Sequence, residues 1–201
     1  MQIRLILLVP MMTMFLAAPV LAEKISLNRL SAYLNDLKTA RGEFTQINQD
    51  GTISTGTLYI HRPGRMRFDY DPPSPALVMA GGGTVAIFDR KSNEPPQQFP
   101  LKRTPLSVIL ARDVDLGQAD MITGHREEDQ VTIVTAHDPE NPDAGTIDLM
   151  FTADPVTLRK WVITDESGAE TTVVLGDMQR GMKLGASLFN VQNEVRKLKD
   201  H

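Results

Sequence analysis

Apolar and polar positions alternate most regularly in residues 56–70. Such alternation is typical of a strand with one buried face, because successive side chains point to opposite sides. It stops at Arg62-Pro63, since proline has no N–H for a strand hydrogen bond, and Gly64 allows the chain to turn. The stretch therefore predicts a β-hairpin whose apolar face is formed by Leu58, Ile60, Met66, Phe68 and Tyr70.

Helical spacing of apolar residues occurs in two places. Leucines recur every three or four residues from Ser26 to Thr39, with Ser26 as a candidate N-cap, so we expect a helix packed against a sheet. A second, shorter helix is predicted from Thr104 to Arg112, where Thr104 caps the first turn. Its apolar stripe is formed by Leu106, Ile109 and Leu110.

Short strand-like segments make up most of the remaining chain. Gly81-Gly82-Gly83 is typical of a tight turn between strands at 77–80 and 85–89, whereas residues 91–100 form a polar, proline-bearing loop. Further strands are predicted at 44–48, 121–125, 131–136, 146–152, 158–165, 170–176 and 187–191. Their spacing of about ten residues predicts a mainly β, α+β fold in which an antiparallel sheet curls into a barrel.

Residues 1–22 have the three parts of a secretory signal peptide. Arg4 gives a positive start, an apolar run extends from Leu5 to Ala18, and Val20-Leu21-Ala22 is a small-residue cleavage pattern. A membrane anchor is the alternative, but the run is short for a span and no basic stop follows it. We therefore expect an exported single domain over residues 23–193 and a charged, loose tail over residues 194–201.

The composition narrows the function classes. The sequence has no cysteine, which excludes disulfides, thiol nucleophiles and thiolate metal sites. Loss of residues 1–22 removes one arginine and no acid, so the formal charge changes from −4 to −5. A mildly acidic chain without a basic run is a poor candidate for binding nucleic acid. The histidines are not at metal-ligand spacing and no GxSxG motif occurs, so we expect no metal, no cofactor and no enzymatic activity.

In their order and spacing, these motifs resemble the LolA family of periplasmic carriers, which take lipoproteins from the inner to the outer membrane of Gram-negative bacteria. The resemblance extends from about Ile25 to Val191 and rests on the set, since each motif is weak alone. The motifs are Gly42-Glu-Phe44-Thr-Gln46, Gly56-Thr-Leu-Tyr-Ile60, Arg62-Pro63, Phe68, the Pro72 loop, Gly83-Thr-Val85 with Ile87-Phe88, Thr104-Pro-Leu106 with Ile109-Leu110, and the Leu184 to Phe189 stretch.

The resemblance implies an incomplete antiparallel β-barrel, closed by a helical lid over a hydrophobic cavity. The lid helix would carry Leu106, Ile109 and Leu110, and Arg62 would bond to lid backbone and hold the empty form closed. The guanidinium suits that role because it offers several donors for helix carbonyls, although an arginine at a hairpin end is usually solvent-exposed. The candidates for lining the cavity and binding acyl chains are Leu58, Ile60, Met66, Phe68, Tyr70, Met79, Ile87, Phe88, Ile147, Leu149, Phe151 and Trp161.

The function that the resemblance implies is a periplasmic carrier. It would bind the acyl chains of lipoproteins released by an inner-membrane ABC-type complex and deliver them to an outer-membrane acceptor, as a monomer. The alternatives are a periplasmic lipid or glycolipid binder and a sensor domain of the same fold, with an enzyme third. All three binding roles need an apolar cavity, and the candidate methionines fit ordinary core positions equally well.

Overall fold

The computed structural model describes residues 23–92, 94–104, 106–118, 120–137, 139 and 142–199. The predicted signal peptide, residues 1–22, lies outside the described residues. The described α-helices are α1 (Leu27–Asp36), α2 (Leu106–Leu110) and α3 (Val191–Lys199), and the strands are β1 (Thr39–Ile47), β2 (Ile53–His61), β3 (Arg65–Tyr70), β4 (Ala76–Gly81), β5 (Thr84–Asp89), β6 (Gln97–Pro100), β7 (Ile122–Glu128), β8 (Val131–His137), β9 (Gly145–Thr152), β10 (Thr157–Asp165), β11 (Glu170–Leu175) and β12 (Gln179–Arg180).

The strands form one antiparallel sheet that does not close on itself. Its order is β6-β5-β4-β3-β2-β1-β11-β10-β9-β8-β7, and the short β12 pairs with β1 beside β11. The two edge strands, β6 and β7, are connected in sequence by the segment that contains α2. This arrangement confirms the predicted α+β fold with an incomplete antiparallel barrel.

The predicted β2–β3 hairpin is confirmed. Ile60 lies opposite Met66, and Leu58 opposite Phe68. Gly64 has a φ of 71°, which glycine adopts without the strain that a side chain would cause. All four apolar side chains are buried in the main core.

Both predicted helices are shorter in the structure. The Ser26 hydroxyl oxygen accepts a hydrogen bond from the Arg29 N–H at 3.4 Å, as an N-cap does, but α1 ends at Asp36 and β1 begins at Thr39. Gly42 lies within β1, where the Met178 sulfur occupies the position that a Cβ would take. The second helix is limited to Leu106–Leu110 and follows a 3-10 turn at Leu101–Arg103.

Three other predictions differ from the structure. The loop predicted at 91–100 ends in the edge strand β6, which tolerates Pro100 because an edge needs hydrogen bonds on one side only. The strand predicted at 187–191 is instead a 3-10 turn, Ala186–Phe189, that leads into α3. The tail predicted to be loose from Glu194 onward belongs to α3 as far as Lys199, because Val191, Val195 and Leu198 recur at helical spacing and pack on the sheet.

Apolar side chains are buried on both faces of the sheet. The main core lies on the concave face and includes α1, α2, the Phe44 ring and Trp161. A smaller cluster lies on the convex face of β4 and β5, where α3 covers it, and consists of Leu77, Met79, Ala86, Phe88 and Val191. Among the described residues, no helix is long and apolar enough to cross a membrane.

Candidate functional site

A cavity of about 530 Å³ opens on the concave face beside α2. This volume lies within the usual range for sites that bind small molecules. None of the described residues that line it carries a charged side chain. The lining is formed by apolar Phe68, Ala76, Val78, Val85, Ile87, Phe99, Leu106, Ile147, Trp161, Ile163 and Val173, and by polar Gln46, Asn48, Ser54, Tyr70, Ser74, Thr104 and Thr171.

The predicted cavity residues fall into three groups. The first group lines the open space and consists of Phe68, Tyr70, Ile87, Ile147 and Trp161. The second group is buried in the surrounding main core and consists of Leu58, Ile60, Met66, Leu149 and Phe151. The third group, Met79 and Phe88, lies on the opposite face of the sheet.

The placement of Met79 and Phe88 corrects the prediction. Successive side chains of β4 and β5 alternate between the faces, so Val78 and Ile87 face the cavity while Met79 and Phe88 pack under α3. Both faces of these two strands are apolar, because one faces the cavity and α3 covers the other. Alternation alone therefore did not indicate which set faces the cavity.

Aromatic rings form one wall of the cavity. The Phe44 ring makes edge-to-face contacts with Phe68 and Tyr70, with centroid distances of 5.1 and 5.0 Å, and Phe68 makes another with Trp161 at 5.9 Å. The Tyr70 hydroxyl donates to the Gln46 side-chain oxygen at 2.6 Å. Burial raises the pKa of Tyr70 to about 12, so its phenol remains neutral and the wall uncharged.

Helix α2 lies beside the cavity, and its apolar side is part of the main core. Leu106 is half-buried and lines the cavity, whereas Ile109 and Leu110 are fully buried. A five-residue helix is not stable by itself, so its position depends on these tertiary contacts. Displacement of α2 would therefore enlarge the apolar space without breaking any strand pairing.

The Arg62 side chain contacts the backbone at the end of α2. Its Nη2 donates to the Ala111 carbonyl oxygen at 2.6 Å, and the neighbouring Gly64 N–H donates to the Leu110 carbonyl at 2.8 Å. The side chain is only 5 % exposed, against the usual expectation for an arginine at a hairpin end. Burial lowers the pKa of Arg62, while the charge of Asp113 acts in the opposite direction. Its Nε and Nη1 are buried without a hydrogen-bond partner among the described residues.

Helix α1 contributes a second set of contacts to the same segment. The Asn35 side chain donates from Nδ2 to the Val114 carbonyl and accepts from the Val114 N–H, both at 2.9 Å, and its oxygen also lies 3.3 Å from Arg62 Nη2. The Ser31 hydroxyl oxygen accepts from the Leu116 N–H at 3.0 Å. Sequence reasoning missed Asn35 and Ser31, because one polar residue within a helix carries no motif.

An unclosed antiparallel sheet around an uncharged apolar cavity, with a short helix beside that cavity, defines a half-barrel protein suited to enclosing an apolar ligand. Comparison with known families gives the particular assignment. The model of the outer membrane lipoprotein carrier protein LolA family matches residues 35–192, and the chain belongs to this family. At the level of the family, the protein is a lipoprotein carrier.

Individual relatives agree with the family assignment. The chain is 26 % identical over 188 residues to an outer-membrane lipoprotein carrier protein of Dechloromonas aromatica, with 88 % of each chain covered. It is 24 % identical over 180 residues to the protein of the same name from Methylococcus capsulatus, with 84 % of each covered. A crystal structure of a putative outer membrane lipoprotein-sorting protein domain from Vibrio parahaemolyticus has a similar fold, with a TM-score of 0.50, 9 % identity, and coverage of 85 % of this chain and 97 % of that one.

Proposed function

We propose that the protein works in the periplasm as a carrier for the acyl chains of lipoproteins. It receives lipoproteins that an ABC-type complex releases from the inner membrane and passes them to an outer-membrane acceptor, acting as a monomer. The observation that supports this proposal is the uncharged apolar cavity beside a cover of core residues, in a chain of the lipoprotein carrier family.

The cover explains how such a carrier can both bind and release its cargo. Burial of one methylene group contributes about 0.8 kcal/mol, so the acyl chains of a lipoprotein bring tens of kcal/mol of apolar surface. In the empty protein, Leu106, Ile109 and Leu110 pack against the main core. Lipid that enters must displace these side chains. This competition brings loading and release closer to balance, so transfer to a tighter acceptor requires no nucleotide.

Arg62 acts as the latch of the cover in this proposal. Its bond to the Ala111 carbonyl stabilises the closed, empty form, and that stabilisation favours release of the lipid. Asn35 supports the latch, because it holds Val114 and lies beside Arg62 Nη2. Loss of either side chain removes part of the free energy that drives the loaded protein back to the closed form.

A release assay tests the proposal. The protein from Glu23 onward is added to spheroplasts, newly made lipoproteins are followed in the soluble fraction, and loaded protein is then incubated with outer membranes. We expect lipoprotein in a soluble complex with the protein. The Arg62→Leu and Asn35→Leu variants should form this complex and deliver several-fold less to the membranes, because the closed form is less favoured.

Arg159→Leu is the matched control, since Arg159 is exposed on β10 and its one ion pair among the described residues is with Asp177, whose side chain is fully exposed. It should behave as the unmodified protein. Normal delivery by Arg62→Leu would exclude the latch role. Absence of any soluble lipoprotein complex, from folded protein that binds an apolar dye, would contradict the carrier proposal and favour a lipid binder or a sensor domain.

A further inference from the structure

A chain of hydrogen bonds runs from the cavity wall to the β1–β2 turn. Tyr70 Oη donates to Gln46 Oε1 at 2.6 Å, Gln46 Nε2 donates to Asn48 Oδ1 at 2.8 Å, and Asn48 Nδ2 donates to Thr52 Oγ1 at 2.8 Å. The Thr52 hydroxyl then donates to Asp50 Oδ1 at 2.7 Å. These contacts connect three lining residues of the cavity to one exposed carboxylate.

The direction of every bond in the chain follows from its last member. A carboxylate only accepts hydrogen bonds, so the Thr52 hydroxyl must donate to Asp50 and can then accept from Asn48. The bonds from Thr52 lower the pKa of Asp50, which keeps the carboxylate ionised. Consequently both amide oxygens, of Gln46 and of Asn48, face donors within the chain, and both amide nitrogens point onward toward the turn.

The side-chain amide nitrogens of Gln46 and Asn48 each have one N–H that takes no part in this series of hydrogen bonds. An NH₂ group has two hydrogens, and the chain takes one from Gln46 and one from Asn48. Both side chains line the cavity, where Ser54 and Thr171 add hydroxyl groups close to the apolar walls. A ligand in the cavity therefore meets N–H donors on a wall whose amide oxygens are already occupied.

The charge of the lining limits the kind of acceptor that fits these donors. None of the described lining residues is ionised, and the Tyr70 phenol is neutral. A carboxylate or phosphate would lose its hydration there without gaining a counter-charge, which is costly. Ester and amide carbonyls are neutral acceptors, so they lose little hydration and match the N–H groups that have no partner among the described residues.

We infer that the Gln46–Asn48 wall recognises the ester and amide carbonyls at the head of the bound acyl chains. This inference rests on the proposed carrier function and specifies which part of the lipid the cavity recognises. The chemistry fits the neutral diacylglyceryl head of a lipoprotein better than the charged head of a fatty acid. Gln46 and Asn48 are accordingly specificity residues, whereas Phe68 and Trp161 contact the chains.

Binding of a matched pair of synthetic ligands tests the inference. The first is a lipopeptide with a dipalmitoyl-glyceryl cysteine, and the second is its dihexadecyl ether analogue, which lacks the two ester carbonyls. The protein should bind the diester about 5- to 10-fold more tightly, as one net hydrogen bond predicts. In Gln46→Met, and separately in Asn48→Leu, this ratio should fall to about 1–2 while the ether analogue binds nearly as before.

Gln98→Met is the matched control, because Gln98 lies on the exposed strand β6 outside this cavity. It should keep the full ratio. Equal binding of diester and diether by the unmodified protein would overturn the inference and leave the carrier function intact, whereas binding of neither ligand would contradict the carrier function itself. A ratio that is unchanged in both lining variants would also overturn the inference.

Two further ligands identify the source of the carbonyls. Dipalmitoylglycerol shares the ester groups without the peptide, so binding equal to that of the lipopeptide assigns recognition to the glyceride part. Tighter binding of the lipopeptide assigns an additional contact to its amide groups. Palmitate at neutral pH should bind more weakly than either, and tighter binding of palmitate would overturn the preference for neutral carbonyls.

Discussion

Two buried arginines, on different sides of the same hairpin, hold two helices in different ways. Arg62 contacts the end of α2 through Nη2 alone, and its Nε and Nη1 are buried without a partner among the described residues. Arg67 contacts α3 and the turn before it, because its Nη1 donates to the Leu188 carbonyl and lies 3.4 Å from Glu194. Its Nε and Nη2 each donate to Asp69 at 3.3 Å. Both side chains are less than a tenth exposed.

The difference between the arginines corresponds to a difference in what the helices need to do. A guanidinium with unpaired N–H groups recovers hydration when its surroundings open, so opening at Arg62 costs less than the bond to Ala111 suggests. Every nitrogen of Arg67 has a partner, so displacing α3 would break the ion pair of Nη1 with Glu194, although Asp69 would remain beside Nε and Nη2. We infer that α2 is the movable cover and α3 a fixed one.

The largest expected effect separates the faces of one strand, β5. Phe88 is 2 % exposed under α3, whereas its neighbour Ile87 is 40 % exposed in the cavity. Phe88→Ala should lower the free energy of unfolding by about 3 kcal/mol, since it removes a buried ring. Ile87→Ala should cost under about 1 kcal/mol and instead weaken binding of an apolar dye. Urea unfolding measures the free energy of unfolding, and titration measures dye binding. Weaker dye binding by Phe88→Ala together with a large loss of stability in Ile87→Ala would reverse our assignment of the faces.

A smaller effect separates the two arginines. Arg67→Met should lower the free energy of unfolding by about 2 kcal/mol, because Glu194 and the Leu188 carbonyl lose a buried partner. Arg62→Met should change it by no more than about 1 kcal/mol, because the unpaired N–H groups are removed together with the bond to Ala111. Urea unfolding gives the free energies. Amide hydrogen exchange should accelerate in α2 for Arg62→Met and in α3 for Arg67→Met, and faster exchange in the other helix would contradict the comparison.

The smallest effect depends on pH and concerns Asp69, which contacts both Arg67 and Arg90. Burial alone would raise the pKa of this carboxyl, but the contacts with Arg90 and Arg67 outweigh burial and lower its pKa from the ordinary value of an aspartate. A carboxyl with a lowered folded pKa contributes stability above its unfolded pKa, and the contribution is lost as the pH falls through the folded value.

Asp69→Asn should therefore cost under about 1 kcal/mol at pH 7, because the carboxylate is a third exposed, and the difference from the unmodified protein should shrink below pH 4. Urea midpoints at pH 7 and pH 3 measure it. Asp177→Asn is the control, since that side chain is fully exposed and should show little difference at either pH. A cost for Asp69→Asn that does not change with pH would exclude the charge as its cause.

The sequence predicted best what local alternation and helical spacing control. The β2–β3 hairpin, the tight turn at Gly82-Gly83 and the capped start of α1 all follow from the residues in them. The sequence also placed Arg62 at the end of the hairpin. Its contact with Ala111, 49 residues away in sequence, depends on the tertiary fold.

Other parts could not be predicted, because they depend on which element covers which face. The charged tail was expected to be loose, because the sequence does not show that Val195 and Leu198 pack on the convex face of β4 and β5. The same missing information placed Met79 and Phe88 on the wrong face. Asn35 is a polar residue in an amphipathic helix, and only its contacts with Val114 distinguish it from a solvated side chain.

Because the sheet is not closed, the size of the cavity can change without a change in the strand pairing that stabilises the fold. In a closed barrel the number and stagger of the strands fix the interior width. Here the edges β6 and β7 are connected by a segment with a five-residue helix, and Leu106 of that helix lines the cavity. We infer that the range of cargo sizes can change through substitutions in this one segment, while the strand pairing of the sheet stays the same.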